Sequence, residues 1–128
     1  MRLLLDTHAL IWAVGDPSRL SSRARELILE ESNELVVSAS SAWEIATKHR
    51  IGKLPGAERL LDTWDDALRR LRAEPAPLAH AHALRAGRYQ VAHRDPFDRL
   101  LAAYAELAAI PLLTTDQAFA AFPITTLW

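Results

Sequence analysis

Apolar and polar positions along this chain switch between a strand-like and a helix-like rhythm, and each switch predicts an element. Arg2 to Leu5 is a short apolar run closed by Asp6, which reads as a strand; Ala9 to Val14 continues as a helix that Gly15 and Pro17 end. Ser21 or Ser22 can cap a second helix reaching about Glu31, and Glu34 to Ser38, with the β-branched pair Val36 and Val37, predicts a second strand. Ser41 then opens a helix towards His49 that stops before Gly52. Ala57, Leu60, Leu61, Trp64, Ala67, Leu68 and Leu71 form the clearest periodic stripe and predict one long amphipathic helix, ended by Pro75 and Pro77. A shorter helix from about His80 to Ala86 stops at Gly87, and Tyr89 to Arg94 reads as loop. Asp95 followed by Pro96 starts a helix, because proline at its first position gives up only an amide that would be orphaned anyway, and the helix runs to about Ala109. Ile110 to Thr114 predicts a third strand, Gln117 to Ala121 one helical turn, and Ile124 to Leu127 a last strand.

Strands alternating with helices predict an α/β fold, a three-layer α/β/α sandwich around a mostly parallel sheet. Residues 1–128 read as a single domain, without repeats or linkers. In such sheets ligands bind beyond the carboxyl ends of the strands, so residues just after each strand are the ones to inspect.

Composition narrows the chemistry. Half of the residues are apolar, enough for a real core, and the absence of cysteine removes disulfides, thiolate zinc sites and a cysteine nucleophile. Asp6 and His8 interrupt the apolar start, no small-residue cleavage site follows, and no run approaches the roughly 20 apolar residues of a membrane span. The expectation is a mature, cytoplasmic protein with no membrane contact. A net charge of −1 gives no general field for attracting nucleic acid, although Lys48, Arg50 and Lys53, and later Arg85, Arg88, Arg94 and Arg99, could form local patches.

The acids are placed more tellingly. Asp6 follows the first strand, Glu44 lies in the helix after the second, Asp116 follows the third, and Asp98 sits in the first turn of the helix leading into that third strand. This topology aims all of them at one sheet edge, where ionised and unpaired carboxylates would repel; a hard divalent cation is the natural neutraliser, and oxygen-only ligation suits Mg²⁺ or Mn²⁺. Such a site can activate water against a phosphodiester. Structural explanations compete. Ser41-Ala42-Trp43-Glu44 fits a capping box, Asp98 suits a helix dipole, and Asp116 could cap the next turn. Asp6 is harder to explain away, since an acid closing a buried strand must be paired, capping or functional.

At these residues the chain resembles the PIN-domain nucleases, and specifically the VapC-type toxins of bacterial and archaeal toxin–antitoxin pairs. Leu3-Leu4-Leu5-Asp6-Thr7-His8-Ala9-Leu10 resembles the first strand and acid of that family, and Ser38-Ala39-Ser40-Ser41-Ala42-Trp43-Glu44-Ile45-Ala46 its second acidic segment. His93-Arg94-Asp95-Pro96-Phe97-Asp98-Arg99-Leu100-Leu101-Ala102 is similar to a signature of one branch, and Leu113-Thr114-Thr115-Asp116 to the final acid at a strand end. The resemblance implies a PIN-like fold, Mg²⁺- or Mn²⁺-dependent endoribonuclease activity, homodimers, and inhibition by a small VapB-type antitoxin. It carries the catalytic and metal-ligating acids to Asp6, Glu44, Asp98 and Asp116. Thr115 departs from many relatives beside the last acid. Thr7, Thr115 and Asp95 are candidates for orienting these acids, Asp95 also explaining itself as an N-cap. His93, Arg94 and Arg99 are candidates for contacting RNA.

Other readings are weaker on the residues. A phosphatase using an aspartyl phosphate wants a second aspartate where His8 stands, and a receiver domain wants an acidic pair after its first strand. A non-catalytic binding module would keep the fold with its acids as caps, yet none of the four acids is missing. His8, His49, His80, His82 and His93 could serve a metal-free ribonuclease, but none has an evident partner along the chain. The tryptophans, with Trp12 on the first helix and Trp64 on the long stripe, read as core or interface rather than base-stacking platforms.

Overall fold

A computed structural model describes all 128 residues, Met1–Trp128. Five strands, β1 (Arg2–Leu5), β2 (Glu34–Ser38), β3 (Ala73–Ala76), β4 (Leu112–Leu113) and β5 (Thr126–Leu127), form one sheet in the order β3-β2-β1-β4-β5. Every pairing is parallel. Seven α-helices connect them: α1 (Thr7–Gly15), α2 (Ser22–Leu29), α3 (Ala39–Arg50), α4 (Glu58–Asp62), α5 (Trp64–Leu71), α6 (His80–Arg88) and α7 (Pro96–Ala108).

Side chains alternate across the central strands, which divides the core in two. Leu3, Leu5, Leu35 and Val37 point to one face, where α1, α2, α4 and α5 cover them with Leu10, Ile28, Leu60 and Leu68. Leu4, Val36 and Leu112 point to the other, against Ala86 of α6, Leu101 and Ala105 of α7, and Phe119. The expected α/β/α sandwich with a parallel sheet is therefore the observed one. None of its helices is long and apolar enough to cross a membrane.

Three local expectations fail for physical reasons. The long amphipathic helix is two helices, because Thr63 adopts φ −121° and ψ 32° and its hydroxyl donates to the Arg59 carbonyl at 2.7 Å. The apolar stripe survives this break, which is why periodicity alone joined the halves. The chain leaves α5 at Arg72, φ 55°, and enters β3, a strand absent from the sequence reading because Pro75 lies inside it. Proline is tolerated there since β3 is an edge strand. Finally, α3 starts at Ala39, capped by Ser38, whose side chain accepts from the Ser40 amide at 3.0 Å. Ser41 lies inside the helix, so no capping box restrains Glu44.

The strand order reverses direction of growth between β1 and β4, the switch point at which open parallel sheets form a ligand crevice beyond the carboxyl ends of their strands. Asp6 stands at that position.

Candidate active site

Three acids converge at the crevice, all nearly withdrawn from solvent: Asp6, Glu44 and Asp98. Asp6 ends β1 and caps α1. Its Oδ1 accepts from the Thr7 amide at 2.7 Å, and its Oδ2 from the Thr114 hydroxyl at 2.7 Å. Burial nevertheless pushes its pKa above the usual aspartate range; these bonds and the nearby His8 only partly offset that, and Glu44 adds repulsion. Glu44 faces inward from the second turn of α3. Its Oε1 accepts from the Thr7 hydroxyl at 2.6 Å, and its Oε2 from the Lys48 ammonium one turn further on. Burial works against the charge of Lys48, but Glu44, with help from Asp95 and Asp98, outweighs it and holds that ammonium charged.

Asp98 projects from the first turn of α7, and its Oδ2 lies 2.7 Å from His93 Nε2. Burial raises its pKa to about 6, against the His93 contact and with further repulsion from Asp95, Asp6 and Glu44. The three carboxylates thus share one electrostatic neighbourhood, although each is held by its own partner and no three His, Asp or Glu side chains close into a ready-made cation shell.

Asp95 caps α7 as expected, Oδ1 accepting from the amides of Phe97 at 2.8 Å and Asp98 at 3.2 Å, while its charge still acts on Asp98 and Lys48. Asp116 stands apart. It is exposed beyond β4, its Oδ1 caps the following turn through the Ala118 amide at 2.9 Å, and the Thr114 hydroxyl accepts from its own amide. Asp116 is therefore at the rim of the crevice and the other three acids are in its wall.

Among the residues expected around the acids, Thr7 links α1 to Glu44 and lies 3.0 Å from Ser41 Oγ. Thr115 is exposed and holds no acid; its neighbour Thr114 does that work, because the chain turns outward only after Thr114. Arg94 is exposed. The Arg99 guanidinium, a candidate RNA contact, is engaged by the backbone carbonyls of Ala86 at 2.8 Å, Tyr89 at 2.5 Å, Val91 at 3.4 Å and His93 at 2.9 Å. It straps the loop that carries His93 onto α7. His93 in turn has the partner that sequence could not supply. Lys48 was readable only as surface charge, although its place four residues after Glu44 on a helix is a pairing signal.

The donor set fits a hard divalent cation. Three carboxylates supply its anionic oxygens, and burial first, with mutual repulsion adding to it, raises the pKa values of Asp6 and Asp98, a cost that a bound cation would relieve.

Similarity to known proteins agrees with this architecture. Over 61 residues the chain is 38% identical to Ribonuclease VapC16 of Mycobacterium tuberculosis, an alignment taking in 48% of this chain and 43% of that relative, so less than half of the relative's length is matched. Among solved structures, VapBC2 from Rickettsia felis bound to a promoter DNA fragment superposes over 99% of this chain and 98% of its own, with TM-score 0.72 and 18% identity. FitAcB from Neisseria gonorrhoeae matches over 98% of this chain and 96% of its own, with TM-score 0.63 and 20% identity. These likenesses concern the fold. The PIN domain family model matches residues 3–124, a span that holds all three buried acids, all but the first residue of β1, and β2 to β4, and on that match the chain belongs to the PIN domain family.

Proposed function

We propose that the whole chain is one nuclease domain, a metal-dependent endoribonuclease of the VapC type that hydrolyses RNA phosphodiesters and is held in check by a small VapB-type antitoxin. The observation that carries this reading is the wall of three buried carboxylates, Asp6, Glu44 and Asp98, at the switch point of a PIN-family sheet. Residues spent only on capping would not need such burial against mutual repulsion.

Asp6, Glu44 and Asp98 would hold the cation, with Asp116 completing the set from the rim. When bound, Mg²⁺ or Mn²⁺ would polarise the phosphate as a Lewis acid and lower the pKa of a water, easing loss of its proton to solvent so that the resulting hydroxide can attack. The chain's part is orientation. Thr114 and the Thr7 amide fix both oxygens of Asp6, the Thr7 hydroxyl fixes Glu44, and Arg99 holds the loop that presents His93 to Asp98. Lys48 keeps a positive charge at the crevice, suited to an incoming phosphate.

For the antitoxin, a groove of about 750 Å³ between α1 and the α4–α5 pair offers apolar walls from Ile11, Val14, Leu54, Leu60 and Leu71, with Arg59 and Arg70 in its lining. Homodimer formation belongs to the same reading, through apolar helix surface such as Leu84 and Leu107, both half exposed or more.

Cleavage of single-stranded RNA tests the proposal. Activity restored to metal-stripped protein by Mg²⁺ or Mn²⁺, with 5′-phosphate and 3′-hydroxyl ends, is the expected result. Cyclic phosphate ends, or full activity in excess chelator, would replace it with a mechanism using the RNA 2′-hydroxyl and the His93 imidazole. Light scattering and co-purification with the product of a neighbouring short gene test the assembly; a strict monomer without a partner refutes that part.

A further inference from the structure

Trp43 is the only aromatic ring among the large apolar side chains that the fold leaves exposed, with 53% of its surface open, whereas Trp12, Trp64 and Trp128 pack against the core. It immediately precedes Glu44. Its ring meets Phe97 edge-on, with centroids 4.6 Å apart and planes at 70°, and Phe97 immediately precedes Asp98. The Ser40 hydroxyl donates to the Phe97 carbonyl at 3.0 Å, tying the first turn of α3 to the first turn of α7. The indole is thus held against Phe97 with about half of its surface open, and each ring of the pair immediately precedes an acid of the site.

The surroundings indicate what such a ring would take. Along α3 the exposed stripe runs Ala39, Trp43, Ala46 and Arg50: one large aromatic, two methyl groups and a cation two turns on. With the half-exposed Ile51 just past Arg50, this is a narrow apolar strip interleaved with charge, not the charge-depleted apolar centre of a protein interface. It matches the way proteins hold single strands, with a base stacked on an aromatic face and a basic side chain along the backbone. Resting on the nuclease reading above, we propose that Trp43 is a base-stacking subsite for single-stranded RNA beside the bond to be cut. Phe97 positions the ring, and Arg50 faces the phosphate backbone.

An RNA that the wild type cleaves, together with copies carrying one abasic residue at successive positions, provides the test. Trp43→Ala should raise KM about 5- to 150-fold with kcat little changed, the fold-change that corresponds to one base stacked on an aromatic ring. Trp43→Phe, which keeps a ring, should recover much of that loss at a melting temperature close to wild type. One abasic position should weaken wild type and have no further effect in Trp43→Ala, the coupling expected when ring and base touch each other. Tryptophan quenching by the same RNA in chelator reads binding without cleavage and should fall in Trp43→Phe.

Unchanged KM in Trp43→Ala, or abasic losses identical in both proteins, overturns the proposal. So does a dimer that dissociates in Trp43→Ala while RNA binding is retained, since the ring is then an interface between copies. If wild type leaves RNA uncut with either metal, the nuclease reading falls, and fluorescence anisotropy of a labelled single-stranded RNA in chelator still decides the subsite: RNA bound equally by wild type and Trp43→Ala refutes it.

Discussion

The two ends of α7 each carry a carboxylate, and the fold treats them in opposite ways. Near the last turn, Glu106 receives two parallel bonds from Arg85, at 2.8 and 2.9 Å, and a third from the Tyr89 hydroxyl at 2.5 Å. Arg85 and then Tyr89 hold its pKa below the usual glutamate value. In the first turn, Asp98 is more deeply buried, has one imidazole for a partner and three carboxylates for neighbours, and its pKa rises to about 6. A carboxylate whose charge is matched by a guanidinium fork is a structural tie. One buried with its charge under-compensated is strained towards neutrality, and such strain persists where a ligand relieves it. That difference separates site from scaffold within a single helix.

The strongest way to break the comparison is to neutralise each acid in turn. Asp98→Asn keeps shape and hydrogen bonding but removes a charge from the wall, and cleavage should fall at least about a hundredfold; a variant retaining near wild-type rates would place Asp98 with the scaffold. Its effect on metal-free stability should have the opposite sign. Because the folded-state pKa of Asp98, about 6, exceeds the ordinary 3.8, the folded chain holds this proton more tightly than the unfolded chain. Stability from this group is therefore present at low pH and is lost as pH rises from about 4 to about 6. In chelator, Asp98→Asn should melt above wild type at neutral pH, and the gap should close near pH 4. Added Mg²⁺ should stabilise wild type more than the variant, since only the full charge set rewards binding.

Removing the strap comes next. Arg99→Ala leaves carbonyls of the 86–93 loop without their donor and should cost about 2 kcal/mol or more in urea unfolding. Arg99→Lys should recover little, because one ammonium cannot reproduce a planar fork. Smaller again is the cap. Asp95→Ala should cost about 0.5 to 2 kcal/mol, while Asp95→Asn should keep the stability, asparagine capping about as well as aspartate. Loss of cleavage in Asp95→Asn at unchanged stability would move Asp95 from cap to metal site. The smallest change in activity is expected at the far end: Glu106→Gln should lower the melting temperature and leave cleavage within about twofold, as for a change outside the reacting set.

Legibility in the sequence followed how local each feature is. Asp95-Pro96 announced the start of α7 correctly, since a cap and an N1 proline act within a few residues. Ser38, the true cap of α3, was hidden by the Ser40-Ser41 pair behind it, any of which can cap. β3 was illegible because its residues, Ala73 to Ala76, have weak strand preference and include Pro75; only an open edge of β2 makes that segment a strand. At the site, strand ends pointed to Asp6 without help. Strand and helix positions named Asp116 with equal force, yet the structure leaves it exposed at the rim.

The sequence by itself determined the layered class of this protein and the order of most elements, and it named the candidate acids, because hydrophobic period, caps and the position just after a strand are all encoded within short stretches of chain. Only the tertiary structure decided which acids are buried together, that Lys48 and His93 pair with Glu44 and Asp98, that Arg99 is a strap, and that Trp43 stays open beside Phe97. Each of these depends on desolvation and on distances between segments remote in sequence. Burial sets the charge of a carboxyl group, and no local pattern carries that information.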